Sequence, residues 1–301
     1  MERIKHIDIA KGLGILLVII GHSCPESYIQ RICYSFHMPL FFFISGLCYN
    51  HLKYDFKKLL RVRTRQLLIP LVLFSVILYI LRFVVLQTKY FNLNLVFPDA
   101  TWFLFVLFLS EMLGYFIIDK SPLVAILTGL IGVTLYHIGI HLPNCLGSVP
   151  VAIMYYCLGY KAKSRYLIDN KCITWCIGGG VGILLYSYFN NTYLDMKWGI
   201  FPFGSVVLSL SGIIMTLTFS KQIENHTKLT RVLVFLGKNT LVIMAVHMFF
   251  MTIAADYIKP HLSGSLYGSV TYKVIQQIVM WVGVLSCIYV INNKAKWMIG
   301  K

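Results

Sequence analysis

The sequence predicts an all-α polytopic membrane protein of about ten transmembrane helices, with both termini cytoplasmic. Three observations lead there. Apolar runs of about 20 residues, the length that spans a bilayer as a helix, recur along the 301 residues. Only 13% of the chain is charged while 58% is hydrophobic, and the mean hydropathy is +0.74; one soluble core of this size does not hide that much apolar surface. The basic residues are also sorted to alternate sides of the runs. A formal net charge of +16 and a pI near 9.5 would otherwise point to nucleic acid, but bilayer-length apolar runs interrupt the basic clusters and exclude that class.

The runs fall at 7–24, 32–50, 66–88, 101–119, 122–142, 146–161, 172–190, 200–220, 232–256 and 273–292. With ten spans, one side receives Arg3, Lys5, the six basic residues of the 51–65 loop, Lys120, Lys161, Lys163, Arg165 and Lys171. It continues with Lys221, Lys228, Arg231, Lys294, Lys296 and Lys301. The other side receives Arg31, Lys89, Lys197, Lys259 and Lys273. The positive-inside rule assigns the richer side, and both termini, to the cytoplasm. Arg3 and Lys5 ahead of an apolar stretch resemble a signal peptide, yet Asp8 and Lys11 interrupt that stretch and His22-Ser23-Cys24-Pro25 is no small-residue cleavage site; the first helix is expected to remain. Without a long linker or an internal repeat, residues 1–301 read as a single integral-membrane domain. The eight cysteines make no C-x-x-C pair and no zinc spacing.

Ionisable groups inside spans are costly and face a bundle interior or a wet cavity. The first span holds Asp8, Lys11 and His22. Lys11 and His22 are three turns apart on one helix face, ~16 Å along the axis, with Asp8 one turn below. His37 lies about five residues inside the outer end of the second span, and His247 lies as far into the ninth span as His22 does into the first. Glu111, in the fourth, is slightly deeper. This spacing puts three imidazoles and a carboxylate in one layer about 20 Å above the inner surface, the signature of a polar cavity in the outer half. In the second span, Pro39 has no N–H for the helix ladder and kinks or opens it, while Ser45-Gly46 permits close helix approach.

Arg61 and Arg65 share a face if the third helix begins early. With Lys57 and Lys58 they read either as topology signal and lipid-headgroup contact or as a phosphate clamp for a cytosolic polyanion. The run Gly178-Gly179-Gly180-Val181-Gly182 reads as a helix-packing surface. His137 and His141 lack a third ligand, so no metal site is expected. From the residues alone, a transporter or flippase for a polar or anionic metabolite is a rival reading, with the buried His and Glu as a proton relay. A non-enzymatic membrane scaffold is a third.

Asp8-x-x-Lys11-Gly12 followed by His22, and Phe36-His37-Met38-Pro39-Leu40-Phe41-Phe42 running to Ser45-Gly46, resemble the start of the membrane acyltransferase-3 family. Arg61 to Arg65 ahead of Pro70, Trp102-Phe103-Leu104, Tyr155-Tyr156-x-Leu158-Gly159-Tyr160 and Leu236-Gly237-Lys238-Asn239-Thr240 to His247 resemble its later blocks, in order. The branch most similar is that of short stand-alone proteins related to fucose 4-O-acetylases. The resemblance implies an O-acyltransferase of the bacterial cytoplasmic (inner) membrane that moves acetyl from cytosolic acetyl-CoA to a carbohydrate hydroxyl of a surface or exported glycan. It implies acetyl-CoA as co-substrate, no permanently bound cofactor, and partners limited to the acyl-CoA donor, the carbohydrate acceptor and the lipid bilayer, with no nucleic acid.

Within that scheme His22 is the catalytic general base. Lys11, Arg61 and Arg65 bind the donor, and Asp8, His37, Ser45, Glu111 and His247 support the site or position the acceptor. The family often carries Arg where Lys11 stands; Lys keeps the charge and loses the bidentate fork. The extracytoplasmic hydrolase-like domain of some relatives is absent from these residues, so no second acyl-handling site is expected.

Overall fold

The computed structural model describes residues 4–25, 27–87, 97, 99–143, 145–163, 171–262 and 266–300, without the side chains of 171–176, 227 and 266–269. Arg3, Lys89, Arg165 and Lys301, used above to orient the spans, lie outside the described residues, as do the side chains of Lys171, Cys172 and Cys176.

In chain order the helices are α1 (Lys5–Ser23), α2 (Tyr28–Tyr34), α3 (His37–Cys48), α4 (Phe56–Arg63), α5 (Ile69–Val85), α6 (Trp102–Gly114) and α7 (Pro122–His137). They continue as α8 (Val149–Ala162), α9 (Lys171–Phe189), α10 (Phe203–Gln222), α11 (Thr227–Lys238), α12 (Thr240–Tyr257), α13 (Lys259–Leu262) and α14 (Leu266–Lys294). A helix falls in each of the ten apolar runs. Lys5–Ser23, Tyr28–Cys48, Phe56–Val85, Phe203–Gln222, Thr240–Tyr257 and Val270–Lys294 are long and apolar enough to cross a membrane; Trp102–Gly114, Pro122–His137 and Ile177–Phe189 are shorter apolar helices. The protein is an all-α polytopic membrane protein.

Three details follow from single residues. The second run breaks at Ser35–Phe36, so Pro39 sits in the first turn of α3, where its missing N–H would have had no helical acceptor in any case. Pro70 offers no N–H to the Gln66 carbonyl. The turn ahead of it, Thr64–Leu68, widens to a π-helical turn in which the Ile69 N–H donates to the Thr64 carbonyl. The ninth run is not one helix: it divides between Lys238 and Thr240, where Gly237-Lys238-Asn239 interrupts the apolar sequence. Thus α11 is a separate amphipathic helix, and it packs on α1.

Contacts group the chain into two compact units, residues 1–61 with 106–238, and 62–105 with 239–301. In the first, α1 packs on α11, α2, α3 and α10, α8 lies against α3 and α7, and α9 lies against α10. Two of these seams need glycine. A Cβ at Gly46 of α3 would overlap the Tyr156 carbonyl of α8, and one at Gly159 of α8 would overlap the Phe43 carbonyl of α3. Along the other seam, Gly12 faces the Leu233 carbonyl and Gly237 faces that of Asp8. As one number falls the other rises, so α1 and α11 run antiparallel. Ile9, Leu233 and Ile223 are buried together there, flanked by Leu13, Leu16 and Val234. In the second unit, α12 packs on α14 and α5, and the final turn Lys296–Ile299 rests on α5.

Candidate active site

Two histidines meet around Tyr34. His22 lies in the last turn of α1. α2 packs back on α1, and Ser27 caps α2 by accepting the Gln30 N–H at 3.1 Å. Tyr34, the last residue of α2, thereby reaches back to α1. Its hydroxyl lies 3.0 Å from His22 Nδ1, and its ring stands edge-on to His22 at 5.6 Å and to His37 at 4.8 Å. Gly21 makes the room, since a Cβ there would stand 3.0 Å from the Tyr34 ring.

The break between α2 and α3 fixes His37. In an uninterrupted helix the Cys33 carbonyl would accept the backbone N–H of residue 37. Here the chain turns at Ser35–Phe36, and the His37 side chain supplies the donor instead, Nδ1 to the Cys33 carbonyl at 2.7 Å. A carbonyl only accepts, so Nδ1 carries the proton and Nε2 is the basic nitrogen of the neutral ring. His37 is 2% exposed; His22 is half-buried.

A third aromatic wall comes from the loop between α9 and α10. Tyr193 stands edge-on to Tyr34 at 5.3 Å. The loop is pinned by a bridge between Asp195 and Ile200 and by the Ser148 hydroxyl, which donates to the Met196 carbonyl. Burial pushes the Asp195 carboxyl above the usual carboxylate range; the Trp198 and Lys197 N–H groups that donate to it pull the other way.

The remaining residues singled out from the sequence are distributed as follows. Asp8 is buried and Lys11 half-buried on α1. Ser45 donates to the Phe41 carbonyl at 2.9 Å, so its hydroxyl serves the α3 backbone, two turns from His37. Glu111 is buried on α6, one turn before Gly114, which abuts the Tyr156 ring of α8. Arg61 is exposed at the end of the first unit's α4, whereas Arg65, also exposed, belongs to the second unit. His247 is fully buried in the second unit, its Nδ1 donating to the Ile243 and Met244 carbonyls of its own helix at 2.9 and 3.0 Å. Because α12 begins at Thr240, His247 lies seven residues into its helix rather than fifteen into a span, and the depth count that aligned it with His22 no longer applies. Tyr34 and Tyr193 do not stand out on the sequence, because tyrosine near a span end is ordinary at a membrane interface; the available signal was Tyr34 one turn before His37.

The described cluster holds two imidazoles, one meeting a hydroxyl and the other a carbonyl, an arrangement suited to moving a proton to or from a substrate hydroxyl. The pattern of the Acyltransferase domain family, membrane acyltransferase-3, matches residues 4–291. The chain belongs to this family. Neither a curated protein nor a solved structure matches it. The match begins one residue before α1 and ends within α14, so it takes in both compact units. The protein is therefore a membrane acyltransferase, with an acyl donor and an acceptor as its substrates.

In this acyltransferase, Tyr34→Phe keeps the ring that touches both imidazoles and removes only the hydroxyl on His22. The expected result is a roughly tenfold fall in kcat, the scale of one hydrogen bond, with donor KM unchanged. Steady-state kinetics at saturating donor measure it.

Proposed function

We propose that this acyltransferase moves acetyl from cytosolic acetyl-CoA to a carbohydrate hydroxyl of a surface or exported glycan in a bacterial cytoplasmic membrane, with His22 as general base. The observation that carries the reading is Tyr34 bridging His22 and His37. The Tyr34 oxygen accepts from His22 Nδ1–H, which leaves Nε2 to take the proton. As the acceptor hydroxyl gives that proton to Nε2, its oxygen attacks the thioester carbonyl. The tetrahedral intermediate then breaks its C–S bond, and the departing CoA thiolate recovers the proton from the imidazolium. His37, ring against Tyr34, holds the tyrosine and offers its own Nε2 to the acceptor. Glu111 positions the acceptor.

The inner surface, rich in basic residues, supplies the donor contacts. Arg61 and Arg65 hold CoA phosphates, and Lys11 stands beside the path from that surface to His22. The sugar acceptor rests on the resemblance of the ordered sequence motifs to fucose 4-O-acetylases. Purified protein given labelled acetyl-CoA and total cell glycans is expected to label glycan; absence of transfer from any acyl-CoA overturns the proposal. Arg61→Gln with Arg65→Gln is expected to raise acetyl-CoA KM about tenfold and to flatten its salt dependence, since exposed charge contacts are screened. A fall in kcat with unchanged KM would place the phosphates elsewhere.

A further inference from the structure

A cleft of about 790 Å³ opens along the seam between α1 and α11, lined by Lys5 and Asp8 on one helix and by Arg231, Val234, Phe235 and Lys238 on the other. All of these residues belong to the first unit, and none entered the reading of donor or acceptor except Asp8. Three cations face one carboxylate, so the lining keeps a positive excess, and Arg231 and Lys238 supply N–H donors suited to phosphate oxygens. Phe235 keeps 41% of its surface exposed, a ring face on which a purine base can stack. Cations beside a partly exposed aromatic side chain and a carboxylate that accepts N–H groups match a nucleotide better than a simple anion.

The cleft also lies at a measurable distance from the proposed base. Asp8 and His22 stand on one unbroken helix, fourteen residues or ~21 Å apart along its axis, and Lys11 lies between them. An extended phosphopantetheine arm has comparable length. A donor whose nucleotide sits at Lys5, Arg231 and Lys238 would present its thioester at the level of His22 and Tyr34.

We infer that this cleft seats the nucleotide end of the acyl donor, with phosphate on Lys5, Arg231 and Lys238 and the base on Phe235; the inference rests on the reading that the donor is an acyl-CoA. This places phosphate on the α1–α11 seam where the reading above used Arg61 and Arg65, and the two sets of variants tell these placements apart. A lipid headgroup offers the same phosphate chemistry, and the test separates the two sources.

Acetyl-pantetheine lacks the nucleotide and serves as the reference donor. In Arg231→Gln with Lys238→Gln, and separately in Phe235→Ala, the ratio of kcat/KM for acetyl-CoA to that for acetyl-pantetheine is expected to fall at least about tenfold. Turnover of acetyl-pantetheine shows in the same assay that each variant is folded. An unchanged ratio in variants of an enzyme that uses acetyl-CoA overturns the cleft assignment and leaves the donor reading standing. If the ratio is unchanged and the double variant instead loses its thermal stabilisation by phosphatidylglycerol vesicles, the cleft is a headgroup site and the inference is overturned. A wild-type protein that transfers from no acyl-CoA overturns both readings before any variant is compared.

Discussion

His22→Ala is expected to lower acyl transfer by about 10²- to 10⁴-fold, the contribution typical of a positioned general base, while membrane insertion and CoA binding stay near wild type. The geometry makes the effect specific. His22 occupies the last turn of α1, half-buried, whereas the seam that holds α1 to α11 lies at the other end of the helix, around Ile9, Gly12 and Leu233. Removing the imidazole therefore takes away a proton acceptor and its contact with Tyr34 while leaving the α1–α11 seam untouched. His22→Gln sharpens the test. Its amide can still meet the Tyr34 hydroxyl, but it has no basic nitrogen, so it is expected to be as inactive as Ala. Detergent-solubilised yield, CoA affinity by calorimetry and label transfer to glycan read the three quantities independently. Full transfer in either variant sinks the role of His22 as base; activity restored in Gln but not in Ala would make His22 a positioning residue only.

Which parts of this arrangement were legible in the sequence follows from what each signal measures. Apolar run length reports burial along one helix, so the helices themselves were readable, and so was Gly46 as a close-contact point. The glycine run in α9 is likewise a packing surface. A Cβ at Gly179 would overlap Ser211, and one at Gly182 would stand 3.0 Å from Leu208 of α10. Run length does not report where a helix stops and another starts when both sides of the break are apolar. The division between α11 and α12 was hidden for that reason, and with it the true depth of His247. Pro39 gave the opposite lesson. A proline inside an apolar run marks a disturbance but not its position, and the break fell three residues earlier, where it turns His37 into the donor for the Cys33 carbonyl.

The site was half legible. His22 and His37 stood out because imidazoles in spans are costly, whereas Tyr34, which touches both, carries no such cost. Its partner Tyr193 arrives from a loop 159 residues away, a contact that no local pattern encodes. The cleft at Arg231 and Lys238 escaped for a third reason. On the sequence Arg231 was counted as topology signal and Lys238 fell inside the ninth run, and only the antiparallel packing of α11 on α1 shows them sharing a surface with Lys5 and Asp8.

Gly46→Ala is expected to destabilise the protein by about 2–3 kcal/mol, the upper part of the range for overpacking a close contact, even though alanine is the better helix former by about 1 kcal/mol. Only one atom is added, and it overlaps the Tyr156 carbonyl oxygen of α8. A flexible side chain could swing aside, but a backbone carbonyl inside a helix cannot, so α3 and α8 must separate along their seam. Gly159→Ala meets the Phe43 carbonyl from the other side of the same crossing; because both substitutions force the same separation, the double variant is expected to cost less than the sum of the two. Gly178→Ala is the matched control. A Cβ there meets nothing within 4 Å, and the same substitution should be neutral or slightly stabilising. Thermal unfolding in detergent, followed by tryptophan fluorescence, separates the cases: a lowered midpoint for Gly46→Ala beside an unchanged or raised one for Gly178→Ala supports the crossing, while equal midpoints would mean that α3 and α8 are not in contact there. The consequence reaches the site, because α3 begins at His37. A helix pushed off α8 moves the imidazole that packs on Tyr34, so among variants that still fold, residual transfer should fall with the loss of stability at Gly46 and stay at wild-type level at Gly178.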